Sequence, residues 1–239
     1  MVELEPAPRV GVGILACDSD ALFQLFIANL VAPLREIKRL YGLQPIITQE
    51  VEIELRSNQR YGKRVGPSVL KAISKNVLTV LSPHSLKKLI GPSADVYFPA
   101  IQGLGAKYKL HVQPGEAYSH AVGVILNAPV MSNDFDAIRK LMLNGHDVAI
   151  PTIRAFDLLV FGYQSGILRE ADCDNFRHQM ALERNEYLPK EFRNASFADG
   201  LPQFCPRLLD GDRAVVGAEE ADLKPFKTRL LIRRTAELV

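Results

Sequence analysis

The chain has 239 residues, 47% of them hydrophobic, and a formal net charge of +2. That length and apolar content allow a packed core and exclude a disordered chain, and no apolar run is long enough to cross a membrane. Three cysteines (Cys17, Cys173, Cys205) are odd in number and lack metal-ligand spacing, so they read as free thiols of a cytoplasmic protein rather than a disulfide framework.

The run Val10 to Cys17 is apolar on both faces and ends in Asp18-Ser-Asp20, after which a helical pattern begins. It predicts a buried strand of a parallel sheet, with Asp18 and Asp20 at its carboxyl edge. Apolar spacing predicts one helix over Ala21–Tyr41, kinked at Pro33 and stopped by Gly42. Pro45–Thr48 reads as a short strand. Gln49–Arg56 reads as a helix that carries Glu50 and Glu54 on one face.

From Arg56 to Lys109 the charge changes character. Arg56, Arg60, Lys63, Arg64, Lys71, Lys75, Lys87, Lys88, Lys107 and Lys109 face one acid, Asp95, an excess of nine in a chain whose net charge is +2. Such a segment is either a solvated basic surface or one that meets a polyanion, for which a local excess of one sign is the electrostatic footprint. Gly66-Pro67, Pro83, Gly91-Pro92, Gly103 and Gly105 divide it into short pieces. Helices are expected at Ser68–Val80 and Ser82–Ile90.

Gln113–Leu126 opens a helix with Glu116 in its first turn. Pro129–Ser132 reads as a strand, Asn133-Asp134-Phe-Asp136 as the cap of a helix over Ala137–Leu143, Val148–Ile150 as the last strand and Ile153–Gln164 as the helix after it. Alternating strands and helices specify an α/β protein with a central parallel sheet between helical layers.

Asp18, Glu54, Glu116 and Asp134 each stand at the end of a strand or the start of a helix. Dispersed, they are helix caps and solvated acids. Converged on one sheet edge they repel, at about 4 kcal/mol for a like pair 4 Å apart in an effective dielectric near 20, and require a cation. An all-oxygen cluster suits Mg²⁺ or Mn²⁺ and not zinc.

These residues also resemble a known family. Asp18-Ser-Asp-Ala-Leu is similar to the opening motif of PIN-domain (PilT N-terminus-like) nucleases. Ile46-Ile-Thr with Val51-Glu-Ile-Glu54-Leu55 resembles the family's second strand and following helix, Pro114-Gly-Glu116-Ala its Gly-Glu-Ala helix start, and Ser132-Asn-Asp134 its Ser/Thr-x-Asp motif. Ile150-Pro-Thr-Ile with Leu158-Leu-Val and Ser165-Gly166-Ile-Leu168 resembles the closing strand and helix. The likeness spans Val10 to Leu168 and implies a three-layer PIN-like domain over residues 1–183, with a basic insertion at about 56–110 and a C-terminal extension at 184–239. It implies a Mg²⁺- or Mn²⁺-dependent ribonuclease, in many family members the toxin of a toxin–antitoxin pair, with RNA as substrate and a protein antitoxin as the second partner. Asp18, Glu54, Glu116 and Asp134 would be the metal-site acids. Asp20 and Asp136 would be auxiliary ligands, and Ser19 or Ser132 would orient a ligand water. Arg56, Arg60, Lys63, Arg64, Lys71 and Lys75 would hold the RNA backbone. The long segments between Glu54 and Glu116 and after Leu168 fit a larger stand-alone nuclease as well as a toxin.

Three other readings compete. A PIN-like module that binds RNA or protein without cutting fits the basic segment equally well. Asp18-x-Asp20 after an apolar strand also resembles the start of a haloacid-dehalogenase-type phosphatase, although Leu22 and the lack of a later lysine motif depart from it. A receiver-type signalling domain would carry a lysine where the last strand ends in Ile150-Pro-Thr-Ile. The histidines, His120 and His178 among them, show no ligand pairing and read as ordinary helix residues. Arg169–Arg184 reads as an amphipathic helix. The aromatic, turn-rich segment from Asn185 to Leu209 and the basic stretch Lys227–Arg234 would pack on their own domain, complete an oligomer or cover the acidic edge.

Overall fold

Alternation along one strand divides the molecule into two cores. In β1 (Gly13–Cys17), Leu15 and Cys17 enter one buried cluster, and Ile14 and Ala16 enter the other. A strand that is apolar on both faces must lie between two layers, and helices flank this one on each side. The computed structural model describes residues 13–57, 62–146, 148, 151–184, 188–204, 207–210 and 213–216.

Helix α1 (Ser19–Ile27) follows β1 at once, and α2 (Ala32–Tyr41) comes next. The sequence predicted one kinked helix here. The structure breaks it at Asn29, which adopts a left-handed φ of 60°, and places Pro33 in the first turn of α2, where a missing N–H costs nothing. Gly42, also left-handed at φ 60°, ends α2 as expected. Strand β2 (Leu43–Ile47) and α3 (Gln49–Ser57) follow closely on the predicted spans.

The basic segment differs more from expectation. Helix α4 (Gly62–Ser74) starts earlier and ends at Ser74, Asn76 turns at φ 52°, and Thr79–Val80 form the two-residue strand β3 rather than the end of a helix. The pairing of Ile46 with Thr79 and Ile47 with Val80 outweighs helical continuation for this β-branched pair. Upstream of that pairing, Gln44 Nε2 donates to the carbonyls of Pro45 at 3.0 Å and Val77 at 3.4 Å. Helix α5 (Pro83–Ile90) is capped by Ser82 and Ser85 in a capping box. Helix α6 (Ala94–Tyr108) runs through Pro99, Gly103 and Gly105, residues that read as dividers. Its core face carries Tyr97, Ile101 and Tyr108, and Gly105 admits the ring of Tyr118 where a Cβ would collide with it.

Tyr118 lies on α7 (Pro114–Leu126), which leads to β4 (Val130–Met131) and α8 (Phe135–Leu143). The last parallel strand, β5 (Pro151–Ile153), lies three residues beyond the predicted Val148–Ile150, and α9 (Ala155–Gln164) starts correspondingly later. Pro151 therefore opens a strand, a position that tolerates its missing donor. After α10 (Glu170–Arg184) and the short α11 (Phe197–Gly200), β6 (Arg207–Asp210) and β7 (Arg213–Val216) return to the sheet. The order is β3-β2-β1-β4-β5-β6-β7; the first five strands are parallel and the last two antiparallel.

Residues 188–204 pack on the same core. Phe156 of α9 meets the rings of Phe176, Phe192, Phe197 and Phe204, with centroids 4.5–6.3 Å apart. Cys17 and Cys173 are buried free thiols. Arg60, Cys205 and Lys227–Arg234 lie outside the described residues. Among the described residues no helix is long and apolar enough to cross a membrane.

Candidate active site

Strand β1 delivers Asp18 to the carboxyl edge of the sheet, where its backbone N–H donates to the Met131 carbonyl at 2.9 Å. Asp18 occupies the N-cap of α1, yet its side chain makes no cap hydrogen bond. It points inward instead, 1% exposed. Ser132 Oγ donates to its Oδ2 at 3.4 Å, and buried Oδ1 has no partner among the described protein atoms. Burial pushes the Asp18 carboxyl up to about 7; the charges of Asp20, Glu54 and Asp134 add to the rise, and the Ser19 backbone N–H opposes it.

The other acids arrive from separate elements. Glu54, half-buried on α3, accepts from Ser19 Oγ at 2.6 Å through Oε2 and from the Gly115 N–H at 2.9 Å through Oε1. A Cβ at Gly115 would collide with that carboxylate, so glycine lets α7 begin against it. Glu116 accepts from the Gln113 N–H at 3.2 Å in a capping box. Its carboxyl is pushed up to about 8, first by burial, then by the Asp18 charge and by a hydrogen bond to Asp134. Asp134 caps α8 by accepting from the Ala137 N–H at 3.1 Å, and its own N–H donates to Ser132 Oγ at 3.2 Å. Ser132 thus touches Asp18 and Asp134 together.

Of the sequence-predicted acids, Asp18, Asp20, Glu54, Glu116 and Asp134 therefore fall in one electrostatic neighbourhood. Asp136 is exposed on α8 and is not among the charges acting on Asp18 or Glu116. Among the described residues no three His, Cys, Asp or Glu side chains form a ready-made metal-ligand group. Glu116 and Asp134 are hydrogen-bonded to each other. The donor set still fits a hard divalent ion, because it is all oxygen and leaves a buried carboxylate oxygen, Asp18 Oδ1, without a partner.

The predicted RNA-holding residues divide. Arg56 pairs with Glu52 at 2.8 Å, and Arg64 pairs with Glu183 of α10. Lys63, Lys71 and Lys75 are exposed on or just after α4.

Sequence reasoning missed the contacts of three further residues. Asn133 Oδ1 accepts from the Ala155 N–H at 3.0 Å and joins the end of β4 to the start of α9. Arg154 grips Asp157 with two hydrogen bonds, 2.9 and 2.7 Å, and its guanidinium lies 5.2 Å from the Phe204 ring centroid. The spacing Arg154-x-x-Asp157 carried a capping signal for that pair. His120, read as an ordinary helix residue, is fully buried on α7, and neither ring nitrogen has a partner among the described protein atoms. Comparison with protein-family models, with curated protein sequences and with solved structures found no match.

Proposed function

We propose that the chain is a divalent-cation-dependent ribonuclease of PIN-like plan, which hydrolyses RNA phosphodiester bonds at the pocket of Asp18, Glu54, Glu116 and Asp134. One observation carries the reading: acids from four separate segments gather at the carboxyl edge of a parallel sheet, where burial and neighbouring charges push the carboxyls of Asp18 and Glu116 well above the usual carboxylate range. Ligands of open α/β sheets bind at that edge. Strongly shifted carboxyls there mark a functional pocket, since the arrangement costs stability in the free protein. The parallel order β3-β2-β1-β4-β5 sets the carboxyl ends of β1 and β4 side by side, and with them Asp18 and Asp134, which supports the reading.

Mg²⁺ or Mn²⁺ would be held by Asp18, Glu54, Glu116 and Asp134, with Asp20 as an outer ligand. When bound, such an ion neutralises phosphate charge and acidifies water. The chain's own residues do the rest. Ser132 keeps Asp18 and Asp134 adjacent, while Ser19 and the Gly115 N–H fix both oxygens of Glu54. Glu116 gives up its proton as the pocket fills. Lys63, Lys71 and Lys75 offer exposed charge to the RNA backbone. A protein antitoxin is the further partner if the chain is a toxin.

A PIN-like module that binds without cutting is the second reading. The lack of a ready three-ligand group among the described residues and the ion-paired state of Arg56 and Arg64 favour it. Incubation with single-stranded RNA and Mn²⁺ separates the two. Mn²⁺-dependent cleavage that disappears in Asp18→Asn supports the nuclease. RNA binding without cleavage, after removal of any bound inhibitor, establishes the inert module.

A further inference from the structure

Two turns meet beside Tyr108. One is the end of α6 with the residues after it, and the other is the end of α8 with the turn that follows. They abut: the His146 ring centroid lies 4.9 Å from that of Tyr108 and 5.3 Å from that of His111. Each turn sends one side chain, Tyr108 or Leu141, into the same buried cluster. Each also leaves a leucine outside. Leu110 is 80% and Leu143 76% exposed, the two most exposed large hydrophobic residues among the described residues, and Met142 adds to them at 40%. Single leucines scattered over a surface need no explanation; two on adjoining turns do. Lys107, Lys109, Arg139 and Lys140 are all exposed, and residues 107–112 and 139–146 contain no acid. The negative C-terminal ends of the two helices account for cations there. They give no reason for the leucines.

We propose that this face binds an anionic lipid surface peripherally, with Leu110 and Leu143 entering the headgroup region and the four cations meeting lipid phosphates. The inference does not depend on the nuclease reading. Charge and shape select the occupant. A second copy would set four cations against four in a two-fold contact. A peptide helix docks into a groove, whereas leucines exposed by three quarters or more project and need a medium that yields around them. RNA would answer the cations and leave the leucines in water. An anionic bilayer surface answers both: its headgroups attract Lys and Arg, and its acyl boundary takes up apolar side chains.

Co-sedimentation of the full-length protein with phosphatidylglycerol and with phosphatidylcholine vesicles tests this directly. Binding to the anionic vesicles is expected, much weaker binding to the zwitterionic ones, and release at high salt. Leu110→Ser combined with Leu143→Ser is expected to weaken the binding roughly a hundredfold, about tenfold for each leucine withdrawn from the interface. Both side chains are exposed, so the melting temperature of this variant should stay at the wild-type value. Lys107→Gln combined with Lys140→Gln is expected to reduce the preference for anionic over zwitterionic vesicles, and it decides the matter if the leucine variant fails to fold. No wild-type binding to phosphatidylglycerol vesicles overturns the proposal. Binding that survives both pairs of substitutions overturns the role of this face. Self-association or RNA binding that the leucine variant abolishes, without vesicle binding, overturns the lipid assignment and gives the face to that partner.

Discussion

Ser19 and Glu54 are 35 residues apart in sequence, and Ser19 Oγ donates to Glu54 Oε2 across 2.6 Å. The bond ties the first turn after β1 to the helix after β2 and fixes one acid relative to the next. Ser19→Ala removes it and leaves a half-buried carboxyl group with one partner fewer. The expected loss is about 1–2 kcal/mol of stability, measured by urea unfolding. A change below about 0.5 kcal/mol, the range of ordinary surface substitutions, shows that the bond does not hold Glu54 in place.

Two glycines give opposite expectations. A Cβ at Gly115 collides with Glu54, so Gly115→Ala should lower stability and weaken Mn²⁺-induced stabilisation. Gly103 lies inside α6 with open space around the same position. Gly103→Ala should raise stability by roughly 0.5–1 kcal/mol through helix propensity alone. Thermal melting of both variants, with and without Mn²⁺, checks the pair; stabilisation by Gly115→Ala would contradict the close approach of α7 to Glu54.

The carboxyls make stability depend on pH in a known direction. Asp18 rises to about 7 and Glu116 to about 8, from ordinary values of 3.8 and 4.5. The folded state therefore binds more protons than the unfolded state above pH 4, and stability falls as pH rises through these folded values. His120 acts oppositely between about 4 and 6.5, where the unfolded chain takes up the proton that the buried ring refuses. The clean window is therefore pH 6.5–8. Without divalent ions the melting temperature should fall across it, and the fall should flatten in Asp18→Asn. Mn²⁺ competes with the same protons, so its stabilising effect should grow over the same range. A flat or rising profile in the free protein argues against a crowded acid pocket.

Asp18→Asn carries a further expectation. It removes a buried carboxyl whose ionisation its neighbours oppose, so above pH 8 the ion-free variant should melt no lower than the wild type. It should also lose its response to Mn²⁺. A melting temperature well below that of the wild type would mean that the Asp18 carboxylate is structural.

The aromatic cluster tests whether the chain beyond α10 belongs to the core. Phe192 is fully buried and contacts Phe156, Phe197 and Phe204. Phe192→Ala should cost about 3–5 kcal/mol and leave a single cooperative unfolding transition. A small loss confined to an early, separate transition would show that residues 188–204 open independently.

Much of this arrangement was legible in the sequence, and the exceptions have physical causes. Strand β1, α3, α7, α8 and α10 followed from apolar runs, helical spacing and caps, and the acids of the pocket followed from their places at the ends of these elements. Strand β3 is two residues long, too short for any period, and only its pairing with β2 defines it. The gap between α1 and α2 hinges on one left-handed asparagine. Helix α6 runs on through Pro99 and Gly103 and packs against α7, where Gly105 admits Tyr118, a tertiary gain that local preference does not register. Within the site, the positions of Asp18 and His120 were readable but their orientations were not. Asp18 forgoes the cap hydrogen bond its type favours, and His120 faces inward only because α7 lies where it does.

The two-residue strand β3 bears on solubility. A long, regular sheet margin is a template on which a second molecule can extend the ladder and start aggregation. On the β3 flank little template exists. The final strand is two residues long; before it, Pro45 has no amide hydrogen to give, and Gln44 engages two nearby carbonyls itself. Intermolecular zippering is blocked on that side by one short strand, one proline and one amide side chain.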